Sequence, residues 1–282
     1  TKPGVSKKDT IIANVSAPYT LEQIFELAGI TVMDAYDGDI THLTRVVDDK
    51  YLPNKNIVGL TTISYSVTNS GGLTTDFTLN IFVKDMDAPS IKGPGSSRIS
   101  YTKEITTPEI IAMYTVTDNY DKSIQLVLDS TDYVKNKVGT YTYTLSATDS
   151  SGHVTRTTHI LSVYDDVAPI MTNSLTDWKI TYKQAITDNL LLSGLTASDA
   201  VDGDITSKIQ IKSHNIKTGV LGNYVVTYEV SDNSGNVTTL ERPISIITSD
   251  YPIYYVSSSL ISIESVNKMS LDEIAQLYAE LN

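Results

Sequence analysis

A motif of about ten residues returns three times along the chain, and that recurrence limits the fold more than any other feature. The copies read VMDAYDGDIT from Val32 to Thr41, VTDNYDKSI from Val116 to Ile124, and ASDAVDGDIT from Ala197 to Thr206, headed by Asp34, Asp118 and Asp199. Their heads are 84 and 81 residues apart. That period exceeds the roughly 20 to 50 residues of solenoid repeats and suits small domains, each with its own core. A chain of 282 residues is long enough for several such cores.

Downstream of each motif lies a second constant unit. VGLTTISYSVTNSGG from Val58, VGTYTYTLSATDSSGH from Val138 and LGNYVVTYEVSDNSGN from Leu221 alternate apolar and polar residues before a turn, the pattern of a strand running into a hairpin. Gly59 to Gly72, Gly139 to Gly152 and Gly222 to Gly235 are each 13 apart, and from those second glycines to Pro89, Pro169 and Pro252 the distance is 17 every time. Only the stretch between the two constant units varies, as loops between fixed strands do. Ile63, Tyr65 and Val67, then Tyr143, Leu145 and Ala147, then Val226, Tyr228 and Val230 fall on one face of the three strands and are the predicted core. With 18 Tyr against 3 Phe and 1 Trp, the aromatic content is strand chemistry. Short strands, Gly, Asn, Asp and Ser turns and little helix predict antiparallel sandwiches.

The succession A-x-D-x-x-DGDIT, G-x-Y-x-V-x-Y-x-V-x-D-x-SGN and D-x-x-A-P resembles the bacterial immunoglobulin-like repeats of Gram-positive surface proteins and some tailed-phage virion proteins, and is similar to hyalin repeats. It covers roughly residues 10 to 250. The resemblance implies an all-β fold of tandem immunoglobulin-like antiparallel sandwiches with a short helix in some units. The chain then divides into a tail at 1–9, domains at 10–87, 88–167 and 168–250, and the opening of a fourth unit at 251–282. Two departures stand out: Lys122 and Ser123 replace the Gly and Asp of the other copies, and Asn69 stands where the others have Asp149 and Asp232.

TLEQIFELAG from Thr20 reads as a short helix, capped by Thr20, with Leu21, Ile24, Phe25 and Leu27 toward the core. SLDEIAQLYA from Ser270 repeats that pattern with a capping box of Ser270 and Glu273, where a fourth unit would place it. The alternative is a free-standing helix that docks on the third copy or on a partner. Opening on Thr1 and stopping near the next expected Asp motif, the sequence reads as part of a longer protein.

Acidic residues provide the one candidate site. In an immunoglobulin-type sandwich the loops after the second and sixth strands lie at the end where the chain enters. If DGDIT and DxSG are those loops, Asp85 and Asp87 approach Asp118, Asp121 and Asp149, while Asp165 and Asp166 approach Asp199, Asp202, Asp204 and Asp232. Clustered carboxylates repel unless neutralised, and Ca2+, which takes six to eight oxygen ligands, is the candidate cofactor. The competing reading is turn chemistry, since Asp and Gly also form tight turns.

Other functions are less well supplied. A net charge of -12 disfavours nucleic acid as a partner, and no apolar run approaches the ~20 residues of a membrane span. Without Cys there are no disulfides, thiolate metal sites or Cys nucleophiles. His42, His153, His159 and His214 fall at unrelated positions of the repeat and read as surface residues, and no nucleophile elbow or phosphate loop occurs. Trp178 and the Tyr excess offer a sugar-stacking alternative. The expectation is a non-enzymatic, elongated extracellular stalk or spacer on a bacterial surface or phage virion, partnered by other subunits or a cell-surface component. An adhesion module for a polysaccharide, or the accessory domains of a larger secreted hydrolase, are the alternatives.

Overall fold

A computed structural model of the chain describes residues 1–248 and, as backbone, 254–256 and 259–261. The predicted helix at Ser270 lies outside the described residues. By compactness the chain forms two units, one from Thr1 to Val163 and one beginning at Tyr164. The first contains two sandwiches and the second contains one.

In the first sandwich, β1 (Gly4–Ser6), β3 (Thr31–Asp34) and β4 (Gly38–Asp39) form one sheet. β2 (Thr10–Asn14), β7 (Thr74–Lys84), β6 (Gly59–Thr68) and β5 (Arg45–Asp49) form the other in that order, with helices α1 (Leu21–Ala28) and α2 (Tyr51–Asn54) between strands. The second sandwich pairs β8 (Ser90–Lys92) with β10 (Thr115–Thr117), and orders β9 (Ser96–Ser100), β13 (Val154–Tyr164), β12 (Gly139–Thr148) and β11 (Leu126–Thr131), with α3 at Thr107–Ile111. The third repeats the first: β14 (Ile170–Asn173), β16 (Leu195–Asp199) and β17 (Gly203–Asp204), then β15 (Trp178–Thr181), β20 (Val237–Ile247), β19 (Gly222–Ser231) and β18 (Gln210–His214), with α4 at Asp188–Leu192. Beyond it, β21 (Tyr254–Val256) and β22 (Ser259–Ile261) pair antiparallel.

The alternating residues form the cores. All nine members of the three predicted trios are buried, because successive side chains on a strand point to opposite faces. The long hairpins pair in register over their full length, Gly59 opposite Val83, Gly139 opposite Val163 and Gly222 opposite Ile246. Within otherwise antiparallel sheets, β2 runs parallel to β7 and β15 parallel to β20, so the entering chain lies alongside the exit strand of its own sandwich. A bulge recurs at one position in every copy, between Val46 and Asp48, Leu128 and Ser130, and Ile211 and Ser213.

The turn in DGDIT explains one difference between the copies. Gly38 and Gly203 sit at φ 74° and 73°, which residues with a Cβ resist, and the turn folds β4 onto β3 and β17 onto β16. Lys122 does not adopt that conformation, and among the described residues β10 pairs with β8 alone.

Helix α1 is capped by Thr20 as predicted, in a full capping box with Gln23, and has a left-handed Gly29 at its end. Its buried residues are Ile24 and Ala28, while the predicted core residue Leu27 is exposed. At 100° per residue, Leu21, Ile24, Phe25 and Ala28 share one stripe and Leu27 falls outside it. None of the described helices is long and apolar enough to cross a membrane.

Candidate metal centre

Each acidic motif is first a device for making loops. Oδ1 of Asp34 accepts from the amides of Tyr36 and Asp37 at 2.9 and 3.1 Å, that of Asp118 from Tyr120 and Asp121 at 2.9 Å each, and that of Asp199 from Val201 and Asp202 at 2.8 and 3.0 Å. These are Asx turns. The next acid in each motif clamps the distant hairpin turn: Asp37 accepts from the amide of Ser70, Asp121 from that of Ser150 and Asp202 from that of Asn233, at 2.8, 2.8 and 2.6 Å. The turn residue itself, Asn69, Asp149 or Asp232, accepts from the amide four residues on, at 2.9, 2.8 and 2.8 Å.

Those bonds leave one oxygen of each leading Asp directed at the space beside the hairpin turn, and the residue after the exit strand arrives there. Asp85, after β7, is 4% exposed; Asp165, after β13, is 6% exposed. Oδ1 of Asp85 accepts from Asn119 Nδ2 at 3.0 Å and Oδ1 of Asp165 from the Val167 amide at 3.0 Å. Oδ2 of Asp85, of Asp118 and of Asp165 is buried without a donor.

Three groups of ligand atoms result, each lying within 4.8 Å of one another: Asp85 with Asp118 and Asp121, Asp85 with Asp149 and His153, and Asp165 with Asp199 and Asp232. Burial pushes Asp165 above the usual carboxylate range, reinforced by the charges of Asp199, Asp232 and Asp202. For Asp149 and Asp232 burial acts in the same sense, but hydrogen bonds from His153 and Asn236 outweigh it and hold both carboxyls low. His153 Nδ1 lies 2.8 Å from Asp149 Oδ2, and Asn236 Nδ2 donates to Asp232 Oδ2 at 2.8 Å.

Of the eleven acids singled out in the sequence, seven meet in these groups and four do not. Asp87 accepts from Ser16 Oγ; Asp204 caps the amide of Thr206 at 2.9 Å; Asp202 is held by Asn233; Asp166 is exposed. The first sandwich lacks a cluster of this kind. Asn69 Nδ2 donates to Asp34 Oδ2 at 3.0 Å, and that amide holds Asp34 below the usual range.

The histidines divide. His42 and His214 are exposed, but His153 joins a cluster and His159 is completely buried, between Ser97 Oγ at 2.7 Å and Tyr114 OH at 3.0 Å. Surface placement of His159 is therefore incorrect: it lies at the core position that Leu79 fills in the first copy and Arg242 in the third, each five residues into its strand. Trp178 packs on the third core, with the Arg242 guanidinium over one face.

Residues 187–246 match the family described as "Bacterial surface protein, Ig-like domain". The third sandwich is thus similar to an immunoglobulin-like domain of bacterial surface proteins. The chain is also similar to an "Uncharacterized 81.3 kDa protein" of Acholeplasma phage L2, 29% identical over 282 residues, which covers 98% of this chain and 38% of that protein. Internalin I of Listeria monocytogenes serotype 4b is 25% identical over 224 residues, 73% of this chain and 12% of the internalin. Hyalin of Lytechinus variegatus is 27% identical over 186 residues, 64% of this chain and 34% of the hyalin. The chain thus spans well under half of each of these relatives. The three sandwiches of this chain share their acidic turns, and the first differs in that Asn69 Nδ2 donates to its leading Asp34.

Proposed function

We infer that the chain is a non-catalytic structural segment, a spacer of immunoglobulin-like sandwiches in an assembly at a cell surface or on a phage virion. The observation that carries this reading is the fixed contact inside the first unit. Tyr120, from the acidic loop of the second sandwich, packs against the first core, and its hydroxyl accepts from the Val58 amide at 3.4 Å. Asn119, beside it, holds Asp85 of the exit segment, and Pro89 just beyond is buried. A segment joined in this way transmits position from one bead to the next, because Pro restricts both its own φ and the residue before it.

The same repeats in a binding module would direct an aromatic face at a ligand. The Trp178 ring is instead covered on one face by Arg242, which favours the spacer over the polysaccharide-binding alternative. The pair of half-buried Ser97 and buried His159 has no carboxylate partner among the described residues and adds no support for catalysis.

Display and inertness are tested together. An antibody raised against residues 10–247 should label intact cells or particles without permeabilisation. The purified chain should bind wall polysaccharide and arrayed glycans no more tightly than about 0.1 mM. Labelling that appears only after lysis overturns the surface reading, and tighter glycan binding replaces the spacer with an adhesion module.

A further inference from the structure

We propose that Asp165, Asp199 and Asp232 form a divalent-cation site of the hard, oxygen-liganded class, with Ca2+ as its occupant, and that Asp85, which groups both with Asp118 and Asp121 and with Asp149 and His153, anchors a second. This assignment is independent of whether the chain is displayed at a surface.

Acidic loops alone do not make a metal site, and much of this chemistry serves the turns: one oxygen of Asp118 and of Asp199 is committed to backbone amides. The decisive observation is what those bonds leave over. Asp85 and Asp165 are almost completely buried, yet Oδ2 of each has no donor. Together with Oδ2 of Asp118, these are the only carboxylate oxygens among the described residues that are buried and unpartnered, and all three lie in the two clusters. Folded proteins leave few buried polar atoms without a partner, since each keeps the full cost of its lost hydration. Among the described residues no Lys or Arg forms a salt bridge with Asp165, Asp199 or Asp232. A cation must therefore come from outside the chain.

The first sandwich supplies the internal comparison. It has the same loop and the same leading acid, Asp34, but Asn69 replaces the turn Asp, and its Nδ2 donates to the oxygen that is orphaned in Asp118. An amide neutralises the position there. Where the turn residue is Asp149 or Asp232, a donor to the leading Asp has been exchanged for a further acceptor; His153 and Asn236 satisfy that acceptor but supply nothing to Asp118 or Asp199, and a cation between the carboxylates would.

The occupant follows from the donors. In the third sandwich they are carboxylates alone, which suit Ca2+ and offer nothing to a metal that seeks sulfur. Each of the three carboxylates keeps one oxygen that no backbone amide holds, and water completes a shell of six to eight; Mg2+, which demands a tighter octahedron and dehydrates reluctantly, fits less well. In the second sandwich His153 adds an imidazole on Asp149, so the two sites differ in strength.

Calorimetric titration of CaCl2 into the chelator-treated 282-residue chain, with MgCl2 in a parallel run, tests the assignment. Two Ca2+ per chain are expected, with Mg2+ at least tenfold weaker. Asp165→Asn should abolish one site and Asp85→Asn the other, while Asp34→Asn, in the amide-neutralised loop, should leave both. Both Asn variants should melt in chelator no lower than the parent, because each removes an unpartnered buried charge. Absence of Ca2+ binding by the parent, two sites retained in Asp165→Asn, or a variant that is destabilised in chelator as much as in Ca2+ would each overturn the proposal.

Discussion

The guanidinium of Arg242 is completely buried and stands 3.9 Å from the centre of the Trp178 ring. Its other bonds go to the backbone at the C-terminal end of α4: Nη1 donates to Leu191 O at 3.1 Å and Nη2 to Ser193 O at 2.8 Å. Tyr228 OH donates to the same Leu191 carbonyl at 2.6 Å. One cation thus ties the end of a helix, a strand and the only Trp into a single core.

Truncating either partner should loosen the third sandwich. Arg242→Ala leaves Ser193 O unsatisfied and opens a cavity, at a cost of about 3 kcal/mol. The coupling with Trp178→Ala in a double-mutant cycle should be about 1–2 kcal/mol. Denaturant unfolding followed by Trp178 fluorescence in the Arg242 variant, with hydrogen exchange for the Trp178 variants, measures both; additive effects would contradict the stacked arrangement.

His159 makes the second sandwich sensitive to acid. Burial pushes its imidazole below the ordinary value, whereas the unfolded chain titrates near 6.5. Below about pH 6.5 the unfolded state takes up a proton that the folded state refuses, so this contribution to stability is complete above that pH and is lost as pH falls. His159→Leu, copying Leu79, should flatten the stability profile of the second sandwich between about pH 6.5 and 5. Melting curves across that range provide the comparison, and an equally steep profile in the variant would rule out His159 as the source.

Calcium should stabilise the second and third sandwiches and spare the first. At a free concentration one hundred times the dissociation constant, each site contributes about 2.7 kcal/mol by mass action. Hydrogen exchange with and without chelator should show protection changing in β12–β13 and β19–β20 and unchanged in β6–β7. Equal changes in all three hairpins would point to a general salt effect instead.

Tyr120→Ala should free the contact within the first unit without unfolding either sandwich. The variant loses the packing of the ring on the first core and its bond to Val58. Limited proteolysis is expected to cut near residues 85–89 several-fold faster, with the melting of the first core lowered by about 1–2 kcal/mol. Unchanged cleavage would show that the linker alone holds the two beads.

Much of the fold was legible because strand burial has period two. Ile63, Tyr65 and Val67 and their counterparts declare their buried face along a few consecutive residues, and the Thr20 cap needs only its own turn. Leu27 was misread because a short helix offers too few turns to separate the stripe from its edge. His159 and Arg242 were illegible for a different reason: their position in the repeat is a core position, but whether a polar residue is tolerated there depends on Ser97 and Tyr114, or on Leu191, Ser193 and Trp178, which come from other strands and a helix.

The sequence by itself determined that three copies of one sandwich follow each other, where their hairpins turn and which residues line their cores, since repeat spacing and alternation are local and additive. Tertiary structure alone decided which acids meet. Asp85 and Asp165 enter the clusters while Asp87 is turned away to Ser16 and Asp204 to Thr206, although all four are Asp beside a turn. What separates them is the direction of a side chain and the donors it encounters, and those are fixed by residues distant in the chain.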